Sequence, residues 1–233
     1  MSSYRTIGIL GGMGPEATAE LYLRIIRLFQ RESGAVLDED FPEILIISLP
    51  LPDVVKTHAD DVRIRTMLVG AAQRLVAAGA ELIAIPCNTV MRHQEQLRRS
   101  VNIPILNIID ETTGEIRRQG YLRVGLIATD STVREGLYAT ALPGASLIVP
   151  SEQRQEQVTQ SILNIMAGKK RGSDVRRLNG IIEEFKRQGA EKVILGCTEL
   201  PLLLRDCADA IDSLAVLARR TYESAAEGDE KRR

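Results

Sequence analysis

The sequence predicts an α/β fold of two pseudo-symmetric lobes, each a roughly four-stranded parallel sheet flanked by helices, with the site in the cleft between them. Short β-branched runs alternate with longer stretches of helical period along nearly the whole chain, the pattern of parallel strands joined by crossover helices. The chain also echoes itself. Residues 79–89 read GAELIAIPCNT and residues 189–199 read GAEKVILGCTE, 110 positions later. In both, a strand starts just after Gly-Ala-Glu and a cysteine stands eight residues beyond the glycine. Ile7-Gly8-Ile9-Leu10 and Val124-Gly125-Leu126-Ile127 form a second echo at an offset of 117. Self-similarity of this kind marks repeated structural units.

In chain order, the β-branched runs place strands at Thr6–Leu10, Ile44–Leu49, Leu82–Pro86 and Ile103–Asn107 in the first half. Arg123–Ala128, Ser146–Val149 and Lys192–Gly196 follow in the second. Helical period places helices between and after them, at Pro15–Gln30, Asp61–Ala78, Val90–Arg99, Thr112–Gln119, Thr132–Thr140, Glu152–Met166, Asp174–Gln188 and Ser213–Ala226. Several strands lack polar alternation, as strands covered on both faces do. Val158, Ile162, Ile165 and Met166 have the spacing of a buried helical stripe and read as core. The last helix is left over after the second repeat and is expected to cross back. The lobes are then residues 1–112 with 210–233, and residues 113–209, with two chain crossings acting as a hinge. The tail 228–233 is all charged after its glycine and is expected to fray in solvent.

Thirty basic against thirty-one acidic residues give a net charge of -1, leaving no bulk positive charge to neutralise phosphates or anionic lipid. A small-molecule partner is expected, with no nucleic acid and no membrane. No stretch approaches the roughly 18–20 apolar residues that span a bilayer, and the start runs straight into a strand, so a cytoplasmic location is expected. Three cysteines, at 87, 197 and 207, are too few and too odd in number for a disulfide framework and read as free thiols.

Cys87 and Cys197 fall at the carboxyl ends of predicted strands, where open α/β sheets bind ligands. A free thiol has a pKa of about 8.5, and a helix N-terminus lowers it, so both thiols are expected to be poised near neutrality. Asn88, Thr89 and Thr198 follow directly and offer donors to a carboxylate. Two such thiols on facing lobes suit inversion of a carbon held between them. One thiolate takes a proton from one face and the other thiol returns a proton to the opposite face. Cys207 has no matching partner and reads as packing.

Three stretches together, Ile7-Gly-Ile-Leu-Gly-Gly-Met-Gly-Pro-Glu-Ala-Thr18, Pro86-Cys-Asn-Thr89 and Gly196-Cys-Thr-Glu199, resemble the cofactor-independent aspartate/glutamate racemase superfamily, in its aspartate or broad-specificity amino-acid racemase branch. The resemblance spans essentially the full chain. It implies an amino-acid substrate, a homodimer, no pyridoxal phosphate or metal, and Cys87 and Cys197 as the acid/base pair. It also implies Asn88, Thr89, Thr129, Thr132 and Thr198 as contacts of the substrate carboxylate and amino group, Met13 as pocket lining, and Glu199 near the second cysteine. Relatives that take aspartate typically carry an arginine where Val54 follows Pro52-Asp53, and a lysine where Met166 precedes Ala167-Gly168. A glycine and a serine are usual where Ser131 and Glu135 stand. Arg134, Lys56, His58 and Lys169 are the candidate substitutes for the missing cations. Inversion is thus better supported than any particular substrate.

Rival readings are weaker on residue inventory. Gly12-Met-Gly14-Pro-Glu-Ala17 fits a dinucleotide-binding template, but the next strand ends Ile47-Ser48-Leu49-Pro50 and lacks the acidic residue that binds a ribose hydroxyl. Those glycines instead suit a tight turn or a close approach of backbone to a small carboxylate. His58 and His93 are too few for a zinc site, and His93 reads as a solvated helix residue. Cis/trans isomerisation or decarboxylation of a small diacid keeps both thiols and is the nearest competitor in chemistry.

Overall fold

The computed structural model describes residues 4–52, 61–205 and 207–230, with side chains described through residue 227. The first sheet holds β1 (Ile7–Gly11), β2 (Ile44–Ser48), β3 (Leu82–Ala84) and β4 (Ile105–Leu106) in the order β2-β1-β3-β4. The second holds β5 (Arg123–Ala128), β6 (Ser146–Ile148), β7 (Lys192–Gly196) and β8 (Ala210–Asp212) in the order β6-β5-β7-β8. All pairings are parallel. The two orders correspond strand for strand, and the sequence echoes fall on the central pairs, β1 with β5 and β3 with β7. Two four-stranded parallel sheets are thus as predicted.

The central strands are apolar apart from Arg123 and Lys192 at the starts of β5 and β7, because helices cover both faces. β1 and β3 are buried at every position, and β5 and β7 at all but their first residues. In the second sheet the side chains alternate between two cores. Val124, Leu126 and Ile194 join the first core with the first sheet, whereas Ile127, Val193 and Leu195 face the second. The second core is completed by α7 (Glu152–Met166) and α8 (Gly172–Arg187), through Val158, Ile162, Ile165, Leu178, Ile181, Ile182 and Phe185. The first lobe carries α1 (Pro15–Glu32), α2 (Asp61–Ala77) and α3 (Gln94–Ser100). The chain passes to the second sheet through α4 (Ile108–Gln119) and leaves it through α9 (Ser213–Glu230), and α9 packs against both α1 and α4.

Several boundaries differ from the sequence reading for local reasons. The segment expected as one helix from Val90 to Arg99 is a tight 3-10 turn, Thr89–His93, followed by α3. The helix expected from Thr112 starts at Ile108 because the Asn107 side chain caps it, accepting the Ile109 N–H at 2.9 Å. The helix expected over Thr132–Thr140 is broken at Gly136, whose φ of +63° separates α5 (Asp130–Arg134) from α6 (Leu137–Ala141). β8 carries too short a pattern to be read from sequence, and it puts residues 210–212 in the second sheet instead of with the returning segment. The α9 backbone runs past Gly228 to Glu230, so the helix does not stop at Ala226; residues 231–233 lie outside the described residues. Among the described residues no helix is long and apolar enough to cross a membrane.

Packing between α8 and β5 leaves no room beside Gly125. A Cβ there would stand 2.3 Å from Phe185 Cδ2 and 3.1 Å from a Val193 methyl. Gly125→Ala is expected to destabilise by about 1–3 kcal/mol through overpacking. The check is a thermal melt, in which each kcal/mol lowers the midpoint by roughly 2–4 °C for a chain this size.

Candidate active site

The loops after the central strands converge on one cavity of about 130 Å³, lined by Cys87, Asn88 and Thr89 from beyond β3 and by Gly196, Cys197, Thr198 and Glu199 from the end of β7. The β1 loop adds Gly12, Met13, Gly14 and Pro15. Thr129, Leu51, Pro52 and Met166 complete it. Pro86 and the tight turn at Thr89 end the β3 ladder early, so the backbone curls around the Cys87 sulfur and turns the Thr89 and Val90 N–H groups toward it. A larger groove of about 650 Å³ lies between α1 and α9, but it holds neither Cys87 nor Cys197. The cysteine cavity is therefore the candidate site despite its size.

Hydrogen bonds tie the two lobes together around the cavity. Glu199 accepts the Gly14 N–H at 3.0 Å through Oε1 and the Cys197 thiol at 3.0 Å through Oε2. A Cβ at Gly14 would stand 2.8 Å from Glu199 Oε1, so a larger residue would have to push that carboxylate aside. The carboxylate that this glycine turn admits is thus the protein's own. Thr198 gives its hydroxyl to the Pro86 carbonyl at 3.2 Å. Thr89, Thr129 and Thr132 form a triangle of hydroxyls with edges of 2.9, 3.1 and 2.9 Å, linking a loop of the first lobe to the N-terminus of α5.

Burial dominates the electrostatics. Cys87 and Cys197 are 5% and 6% exposed. Loss of water pushes the Cys87 thiol up to about 12, against the weaker opposing pull of its backbone N–H neighbours. Cys197 is raised well above the usual thiol range by burial and then by the adjacent Glu199. Burial also raises the Glu199 carboxyl. The expectation of thiols poised near neutrality is therefore overturned. Cys87 is followed by a 3-10 segment that leads into the short α3, and Cys197 by a 3-10 turn alone, so the axial field that was to stabilise a thiolate is too weak to offset desolvation.

Of the residues singled out from sequence, Cys87, Cys197, Met13, Asn88, Thr89, Thr129, Thr198 and Glu199 all line the cavity, whereas Thr132 stands behind Thr89 and Thr129. Met166 is not core. It is 49% exposed at the last position of α7 and lines the cavity, because the stripe it continues turns outward at the helix end. His93 is buried and not solvated, with Nε2 3.2 Å from Asp61 Oδ1 and from Arg92 Nε. Cys207 is half-buried against the second core, in keeping with packing. Arg134 pairs with Asp130 at 2.9 Å, and neither it nor Lys169 reaches the cavity. Asp53, Val54, Lys56 and His58 lie outside the described residues. Sequence reasoning missed Leu51 and Pro52, which carry no chemical signal, and Tyr138, whose 2.7 Å hydrogen bond to Asn88 Oδ1 is legible only in the fold.

The Asp/Glu/hydantoin racemase family model matches residues 10–221. The chain belongs to that family. The broad-specificity amino-acid racemase RacX of Bacillus subtilis is 28% identical over 221 residues, 94% of this chain and 97% of RacX. The structure of an aspartate racemase homologue from Pyrococcus horikoshii matches at a TM-score of 0.78 and 30% identity, covering 95% of this chain and 99% of that one. Picrophilus torridus aspartate racemase matches at 0.82 and 24% identity, covering 95% and 94%, and adds evidence for the fold alone. The racemase resemblance and the two-lobed architecture it implied are both borne out.

One consequence of the buried thiols is measurable on this racemase without any substrate. Since burial pushes the Cys87 thiol up to about 12, its alkylation by iodoacetamide should go on accelerating well above pH 9. Peptide mass spectrometry across a pH series is the check, and a plateau near pH 8.5 would contradict the burial argument.

Proposed function

We propose that this protein is a cofactor-independent amino-acid racemase in which Cys87 and Cys197 are the two acid/base groups on opposite faces of the substrate Cα. The observation that carries the reading is the placing of both thiols on one small cavity, each just beyond the end of a corresponding central strand. The Cα–H bond breaks with its proton passing to one sulfur, and a new one forms with the proton of the other. Reversal exchanges the roles. Asn88, Thr89, Thr129 and Thr198 hold the carboxylate and amino group, while Thr132 keeps the two neighbouring threonines in place. A bound ammonium supplies the positive charge that a thiolate lacks in the ligand-free cavity, so substrate itself lowers the thiol pKa. Glu199 takes the Cys197 thiol proton along their hydrogen bond, so that the resulting thiolate can accept the proton from Cα. Burial excludes water and strengthens each donor to the developing carbanion.

Substrate size and charge follow from the lining. A cavity of about 130 Å³ suits a small metabolite and falls below the roughly 300–1,000 Å³ of drug-sized ligand sites. Met13, Leu51, Pro52 and Met166 give it an apolar side, and among the described residues no Lys, Arg or His lines it. That apolar side suits an amino acid with a small neutral side chain better than a diacid, and it weighs against the diacid isomerase and decarboxylase readings. Dinucleotide binding is disfavoured by the same volume. The Gly14 N–H that would cradle a phosphate is already bonded to a carboxylate. A homodimer and a cytoplasmic location remain part of the proposal.

In deuterium oxide, with no pyridoxal phosphate added, the protein should incorporate deuterium at Cα of a suitable small amino acid and invert it. Cys87→Ala and Cys197→Ala should each abolish inversion, as followed by chiral chromatography with NMR. Inversion at the wild-type rate in either variant would exclude the two-base reading. Met166→Lys should raise kcat/KM for aspartate relative to neutral amino acids by about tenfold or more, the scale of one new charge-assisted contact.

A further inference from the structure

Tyr138 on α6 is fully buried and stands outside the cavity, yet it touches both cysteine loops. Its hydroxyl donates to Asn88 Oδ1 at 2.7 Å, one residue after Cys87. Its ring covers Gly196, one residue before Cys197, so closely that a Cβ there would stand 3.2 Å from Tyr138 Cε2. The same hydroxyl faces Thr112 on α4 and Ser213 at the start of α9, the two helices through which the chain passes between lobes. A second route closes the circuit. Asn88 Nδ2 points to Ser213 Oγ at 3.5 Å, and Ser213 gives its hydroxyl to the Leu195 carbonyl at 2.7 Å, two residues before Cys197.

We propose that Tyr138 is a positioning residue that sets the spacing of the two thiols, its hydroxyl bearing on one cysteine loop and its ring on the other. The proposal rests on the reading of Cys87 and Cys197 as one acid/base pair. An aromatic ring is a rigid spacer with two rotatable bonds, and it is locked here by complete burial. With Asn88 Oδ1 bonded to Tyr138 and Nδ2 directed at Ser213, one N–H of the amide is left to meet a carboxylate acceptor.

Tyr138→Phe keeps the ring and removes the hydroxyl, which frees Asn88 and lets the Cys87 loop drift from its partner. The second thiol then fails to meet the opposite face of the carbanion, and the first returns a solvent-derived proton to the face it came from. Inversion is expected to fall about 10- to 100-fold in kcat with KM changed far less, the scale of an ångström-sized misplacement. Deuterium exchange with retention should persist, so the exchange-to-inversion ratio rises. Without substrate, iodoacetamide should label Cys87 and Cys197 faster in the variant while labelling of Cys207 is unchanged. Thr221→Val, which removes a buried hydroxyl bonded to Leu217 O at 2.7 Å on α9, is the stability control and should leave both readouts alone. An unchanged ratio with unchanged labelling overturns the proposal, as does an equal rise at all three cysteines, which is general loosening. A wild-type protein that exchanges no amino acid, with labelling still changed at Cys87 and Cys197 alone, overturns the racemase reading and leaves the positioning role standing.

Discussion

The buried polar contacts at the cavity, across the seam between the two sheets, come from the loops that follow central strands. Thr198 reaches the Pro86 carbonyl, Glu199 reaches the Gly14 N–H, and Thr89 shares its hydroxyl with Thr129 and Thr132. Each partner is buried, and a buried polar group without a partner costs about 1–3 kcal/mol, so opening the seam without water entering would be expensive. Water or a polar ligand has to replace those partners. The chemistry of the seam and the separation of the lobes are thereby coupled, because the groups that would meet a substrate are the groups that now meet one another.

Duplication explains why the seam falls where it does. A parallel sheet sends its strand ends to one edge, and two sheets of corresponding order can face those edges toward each other. The echoed Gly-Ala-Glu starts the β3 and β7 segments at equivalent places, so the cysteines eight residues on emerge at equivalent depths. That part was legible in the sequence because period-2 and period-3.6 patterns survive in long segments and because a repeat marks its own register. β8 escaped because three half-buried residues carry no periodicity. The break at Gly136 escaped because a helical pattern on either side of one glycine looks continuous.

At the site the residue types were legible and their environments were not. Strand-end position identified Cys87 and Cys197, but the sign of their pKa shift depends on burial set by distant parts of the chain. Leu51, Met166 and the β1 loop meet the cysteines around one cavity, and no local pattern around either cysteine records that. Met166 shows the same limit from the other side. It continues the spacing of a buried stripe, and only the place where α7 ends turns it into cavity lining. His93 was misread because helical spacing says nothing of Asp61 and Arg92 closing over it.

The two lobes are alike in backbone and unlike in charge. Two residues after Cys197 stands Glu199, and two residues after Cys87 stands Thr89. The carboxylate accepts from the Cys197 thiol, so ionising that sulfur places a second negative charge 3.0 Å from the first unless a proton moves onto Glu199. Cys87 feels the same carboxylate from farther off and has two backbone N–H groups turned to it. Cys87 is therefore the easier of the two to ionise alone, whereas ionising Cys197 is eased by proton transfer to its neighbour. An equilibrium between mirror-image substrates does not require equal groups on the two faces, only that each group be restored at the end of the opposite passage. In the proposed reaction Glu199 would hold the Cys197 proton and return it, while the paired N–H groups would stabilise Cys87 as a thiolate until the opposite passage gives it back a proton.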